Sequence, residues 1–174
     1  RGIWERRSEP GHLFHSKGMC WLALDCAAHL APRLGLGEEE RERWLALRDR
    51  IGAEVHDRCW DAVRGAYVAG YELRELDAAV LRCTLFGAND PADPRLSATI
   101  AVIERDLTVG PHVYRYRMED GLDGDEGAFF ACSFWLAGNW ALQGRTSDAR
   151  HRLTDLIACA NDVGLLSEEV DPRT

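Results

Sequence analysis

The stretch "AFFACSFWLAGNWAL", residues 128–142, constrains the fold more than any other part of the chain. Its length and spacing suit a helix, yet it is apolar on nearly every side. A helix of that kind must be enclosed by other helices rather than laid against a core on one face. Only a multi-helix assembly can supply that enclosure. The rest of the chain reads the same way. Ser16 to about Leu34 predicts a helix with Met19, Trp21, Leu22, Leu24, Cys26 and Leu30 at helical spacing, Ser16 as N-cap and Gly35 as the stop. Glu38 to about Cys59 predicts a second, with Trp44, Leu45, Leu47, Ile51 and Val55 inward and Glu38, Glu39 and Glu40 at its positive end.

Further helices are predicted from Asp77 to Leu85, Pro94 to Leu107 and Thr146 to Asn161, the last with Leu153, Leu156 and Ile157 on one face. The segment "FGANDPADP" supplies a turn and a fresh helix start. "RGAYVAGY", residues 64–71, reads as a connector, either a loop or a brief extended segment, and "TVGPHVYRYRMEDGLDGDEG", residues 108–127, as a long loop of the kind that carries function. No strand pattern stands out. The expected class is all-α, built from helical hairpins as a single domain over residues 1–174.

Charge and cysteine use narrow the function. A net charge of −8 opposes nucleic-acid binding, which needs a surplus of Lys and Arg on one face. No apolar run is long enough to span a bilayer, and Arg1, Arg6 and Arg7 have no apolar stretch behind them, so neither a membrane span nor a signal peptide is read. The six cysteines, at 20, 26, 59, 83, 132 and 159, form no CxxC and fall mostly in apolar helical stretches. Free buried thiols in a reducing, cytoplasmic setting are expected.

Two carboxylate positions merit comparison. Glu5 follows Trp4, and an indole against a carboxyl group removes water from it, which keeps a general acid protonated near neutral pH. Glu168 and Glu169 follow "NDVGLLS"; a helix first turn capped by Ser167 is the ordinary reading of that stretch. The Tyr- and Arg-rich loop around Arg115 and Arg117 suits planar stacking on sugars and paired hydrogen bonds to hydroxyls. A calcium loop fails, because Gly127 stands where an oxygen ligand is needed. His12 and His15 lack a third metal ligand, Gly35 to Gly37 follow no strand, and Ser16 and Ser167 have no GxSxG turn. No metal site, nucleotide fingerprint or serine triad is assigned.

The stretches "GIWERR…HLFHSKGMCWLALD", "YRYRMEDGLDGDEGAFFACSFWL" and "NDVGLLSEEVDP" resemble, in order, those of glycoside hydrolase family 15, in particular its bacterial glucodextranase- and trehalase-type branch. The resemblance implies an (α/α)6 barrel of helical hairpins with a site at one mouth. It implies inverting hydrolysis that releases glucose from the non-reducing ends of α-glucosides, with no cofactor. Glu5 then stands as general acid and Glu168 as general base, with Glu169 a substrate contact and Trp4 in the wall of the innermost sugar subsite. Arg115 matches an arginine that binds hydroxyls of the terminal glucose, and Arg117 is the alternative if the register slips. An α,α-trehalase is the second reading, and a non-catalytic helical scaffold or sugar-binding module the third.

The family's ring is complete, whereas this chain holds about half of one. An Arg-Asp element upstream and a helix after the base are missing from the match. The expected object is therefore the C-terminal half of a catalytic domain, with little activity alone. Apolar helix faces left open would call for a missing N-terminal segment or self-association.

Overall fold

The computed structural model describes residues 2–4, 11–85, 87, 93–117 and 127–173. It contains helices α1 (Phe14–Leu30), α2 (Glu38–Arg58), α3 (Ala79–Leu85), α4 (Pro94–Leu107), α5 (Phe130–Leu142) and α6 (Thr146–Ala158), with a 3-10 turn at Ala31–Leu34. α1 packs along α2 and α5 along α6, while α3 lies against both α1 and α5. α1, α3 and α5 thus form a row, with α2 and α6 behind its two ends. That alternation is the hairpin arrangement expected, as part of an (α/α)6 ring.

The core lies between the row and α4. Leu81, Leu96, Ile100, Ile103, Cys132 and Leu136 are all 0–1% exposed. α5 buries one broad side, through Phe130, Cys132, Ser133, Leu136, Ala137, Asn139 and Trp140, while Ala131, Ala141 and Leu142 are exposed, so it is less enclosed than its composition suggests. Asn139 Nδ2 donates to Leu81 O (3.0 Å) and to Trp135 O (2.8 Å), which ties α5 to α3. Close approach there also needs Gly138, since a Cβ would come within 2.8 Å of Leu85 Cδ2.

Three expectations need correction. α1 begins at Phe14, and Leu13, with no side-chain cap, stands where Ser16 was expected. The cap comes from another segment instead: Phe14 N–H donates to Ala69 O (2.9 Å) and Tyr71 N–H to His12 O (3.0 Å). Gly70 permits this bridge, because a Cβ would lie 2.6 Å from His12 O. "RGAYVAGY" contains a brief extended segment at Ala66–Tyr67, and it is part of the core, since Ala66, Tyr67 and Val68 are fully buried.

Second, short strands are present. β1 (Trp60–Asp61) pairs with β2 (Ala66–Tyr67), and β3 (Thr108–Val109), β4 (His112–Val113), β5 (Ala128–Phe129) and β6 (Glu169–Val170) form one antiparallel sheet in that order. Each is two residues long, too short for alternation to register. The β3–β4 turn is Gly110-Pro111, with Gly110 at φ +55°, a conformation that other residues rarely adopt.

Third, burial was overestimated at the edges. On α6 Leu156 is buried, but Leu153 is 41% and Ile157 57% exposed. All six cysteines are free, yet only Cys59, Cys83 and Cys132 are buried; Cys20, Cys26 and Cys159 are exposed. Among the described residues no helix is long and apolar enough to cross a membrane.

Candidate active site

The sequence motifs converge at the β4–β5–β6 edge and the start of α3. Phe129 on β5 is the centre of the cluster, 4% exposed and paired in register with Val113 on one side and Glu169 on the other. Its ring centroid lies 5.6 Å from that of Trp4 and 4.7 Å from the Arg115 guanidinium carbon. Trp4 also packs on Trp135 of α5 at 5.9 Å, and Arg82 of α3 lies 5.7 Å from the Trp135 ring. The result is a wall of three aromatic rings with two arginines against it. Guanidinium groups at these distances are attracted to the negative faces of the rings.

The wall is anchored from behind. Trp4 Nε1–H donates to Asp77 Oδ1 (2.8 Å), and the same oxygen accepts from the Ala79 amide (2.8 Å) at the head of α3. The next amide, Ala78 N–H, donates to Arg115 O (2.7 Å). Asp77 is 8% exposed, and its negative charge adds to burial in pushing the Cys83 thiol up to about 12 and Cys132 higher still. Nearby, burial first and Arg82 second hold the His15 imidazole down to about 4, so it is neutral at pH 7.

Glu169 reaches the same edge as the first residue of β6, with Glu168 in the bend before it, and the helical turn capped by Ser167 does not form. The stretch before them is shaped by Asn161, whose Oδ1 accepts from Val163 N–H (3.1 Å) and Leu165 N–H (2.8 Å), while Gly164 turns at φ +79°. Ser167 Oγ then donates to Glu169 O (2.6 Å). Glu168 O accepts from Phe130 N–H (3.2 Å), which docks the strand at the start of α5. Both glutamate side chains are exposed. Gly127, beside them, leaves room for Glu169, whose Oε2 would stand 3.0 Å from a Cβ there.

Of the residues singled out from sequence, Trp4 and Arg115 meet on Phe129, with Glu169 on the adjoining strand and Glu168 just before it. Glu5 lies outside the described residues, as does most of the acidic loop after Arg117. Arg117 is exposed and stacks on Tyr114 at 4.6 Å, away from the wall. His12 stacks on Tyr71 at 5.0 Å. A groove of about 280 Å³ between α1 and α2, lined by Phe14, Trp21, Ile51 and Val55 among others, includes none of the wall residues. Asp77, Phe129, Trp135 and Arg82 were not singled out from sequence. Phe129 and Trp135 look like core in an apolar run, and Asp77 heads a helix where an N-cap is unremarked.

Comparison with known proteins bears on the family and the fold. The profile of glycosyl hydrolases family 15 matches residues 1–174. A trehalase of Mycobacterium tuberculosis is 39% identical over 177 residues, covering 100% of this chain and 26% of the relative. A trehalase of Mycolicibacterium smegmatis is 41% identical with the same coverage, and one of Thermoplasma volcanium 36% identical, covering 99% of this chain and 28% of the relative. The chain therefore spans less than a third of the length of these relatives. Among solved structures, a bacterial glucoamylase complexed with acarbose superposes with a TM-score of 0.83 at 16% identity, over 99% of this chain and 31% of that one. A glycosidase in complex with glucose gives 0.82 at 22% identity, over 98% and 45%.

Proposed function

The chain belongs to glycosyl hydrolase family 15, and from that premise we propose that it supplies one side of a glycosidase site that hydrolyses α-linked glucosides with inversion. The observation that carries the proposal is the convergence of Trp4, Arg115 and Glu169 of β6, with Glu168 just before it, on Phe129. An aromatic wall offers a flat apolar face to a pyranose ring, and Arg115 offers paired donors to its hydroxyls. Arg115 is preferred to Arg117 because it is the arginine seated on the wall.

In this reading Glu5 gives its proton to the glycosidic oxygen as the bond to the anomeric carbon breaks. Glu168 takes a proton from a water whose oxygen attacks that carbon from the opposite face. Glu169 contacts the sugar. The two catalytic carboxyls must stand roughly 6.5–9.5 Å apart so that the water fits between them. Glu168 directly precedes β6 and its side chain is exposed, so its carboxylate is open to solvent, as the role of general base requires. The proton transfers are complete with two carboxyls and water.

Trehalose is the substrate favoured among α-glucosides, because the relatives at 36–41% identity are named trehalases. The test is glucose release by the complete enzyme from trehalose, maltose and isomaltose, with the first product followed by proton NMR. Inversion of trehalose gives equal amounts of α- and β-glucose, since one ring is attacked and the other leaves unchanged. Inversion of maltose or isomaltose gives newly formed β-glucose from the non-reducing ring. Exclusive α-glucose from trehalose would rule out inversion. No glucose from any of the three would overturn the assignment.

A further inference from the structure

Resting on that reading, we propose that Asp77 is a positioning residue of the sugar site, which fixes the plane of the Trp4 indole before substrate arrives. A capping aspartate ordinarily accepts from helix amides alone and sits at the surface. Asp77 instead is 8% exposed, and its Oδ1 is shared between the Ala79 amide and the Trp4 indole N–H, each at 2.8 Å. A carboxylate so far from water is costly unless its neighbours hydrogen-bond to it, and a charge-assisted bond is stronger than a neutral one.

The geometry has two arms. The side chain holds Trp4, the residue directly before Glu5, and the following amide, Ala78 N–H, holds Arg115 O at 2.7 Å. Two residues at the head of α3 therefore set both the flat face and the arginine against which a sugar would lie. The indole N–H points in one direction only, so its bond to Asp77 selects one ring orientation. An orientation fixed within the protein spares the cost of ordering the wall during binding.

The test separates this role from helix capping. Asp77→Ser retains a cap but its hydroxyl is too short to reach the indole, whereas Asp77→Asn keeps an oxygen acceptor of the same reach. In the complete enzyme, a stability cycle pairing Asp77→Ser with Trp4→Phe is expected to be non-additive by about fivefold in the unfolding constant. With an α-glucoside substrate, Asp77→Ser is expected to lower kcat/KM by about tenfold to a hundredfold. Asp77→Asn should recover most of that loss, and Asp77→Ser should cost nothing further once Trp4→Phe is present. An additive cycle, or an Asp77→Asn variant as impaired as Asp77→Ser, would overturn the proposal. If the unsubstituted enzyme hydrolyses no α-glucoside, the functional reading fails while the stability cycle still decides the role of Asp77.

Discussion

The aromatic wall and the acidic strand lie side by side but are held in opposite ways. Phe129 is almost fully buried, and Trp4 and Arg115 are packed on it and tied through residues 77–79. Strand β6 is attached by its main chain, through pairing with β5 and the Phe130 amide, while the Glu168 and Glu169 side chains face solvent. One region is fixed by side chains and the other by backbone. Substitutions in the wall should therefore register in stability and in sugar binding, and those on the strand in turnover.

The sharpest contrast comes from the carboxylates. In the complete enzyme Glu168→Gln, and likewise Glu5→Gln, is expected to lower kcat by about 10²–10⁴-fold, with an unchanged melting temperature and retained sugar binding. Normal turnover in either variant, measured as glucose release, would remove that residue from the mechanism. Phe129→Ala tests the other side. Emptying this buried ring position should destabilise the fold by about 3–5 kcal/mol in urea unfolding. A loss below 1 kcal/mol would mean that the wall is not the fixed element described.

Smaller effects sharpen the boundary between the regions. Arg115→Ala is expected to raise KM about tenfold, equivalent to about 1.4 kcal/mol, with kcat less affected; an unchanged KM would count against its role. Gly127→Ala places a Cβ within 3.0 Å of Glu169 Oε2 and 3.1 Å of Val170 O, at a cost of about 1 kcal/mol. Turnover should fall more than sugar affinity, because the change displaces the strand and not the wall. The last effect concerns His15 and shows only in acid. Its folded-state value lies below the ordinary 6.5, at about 4, so the unfolded chain binds the extra proton first. Its contribution is complete above pH 6.5 and is lost as pH falls towards 4. His15→Gln should flatten the stability profile in that window, as followed by thermal melts from pH 4 to 7.

The helices were legible because their signals are local. Apolar spacing marked α1, α2, α4 and α6, and the all-round apolar run marked α5. What escaped was set by contacts between distant segments. Ser16 looks like a cap, but the amide of Phe14 is satisfied by Ala69, fifty-five positions further on. The strands escaped because each is two residues long and exists only by pairing. The family resemblance brought Trp4, Arg115, Glu168 and Glu169 forward, since each lies in a quoted motif. Asp77 had no such signal, as its decisive partner is 73 residues away in sequence.

The division of the cysteines gives the molecule a built-in chemical footprint. Cys20, Cys26 and Cys159 stand open to an alkylating reagent, whereas Cys59, Cys83 and Cys132 are enclosed and burial keeps their thiols protonated. Because the thiolate is the reactive form, labelling of the second set reports opening events instead of the resting state. Cys83 stands against Gly18, where α1 and α3 touch, and Cys132 near the head of α5 beside the aromatic wall. The order in which those two become labelled would show, without any added dye, whether the row of helices parts before the aromatic wall loosens.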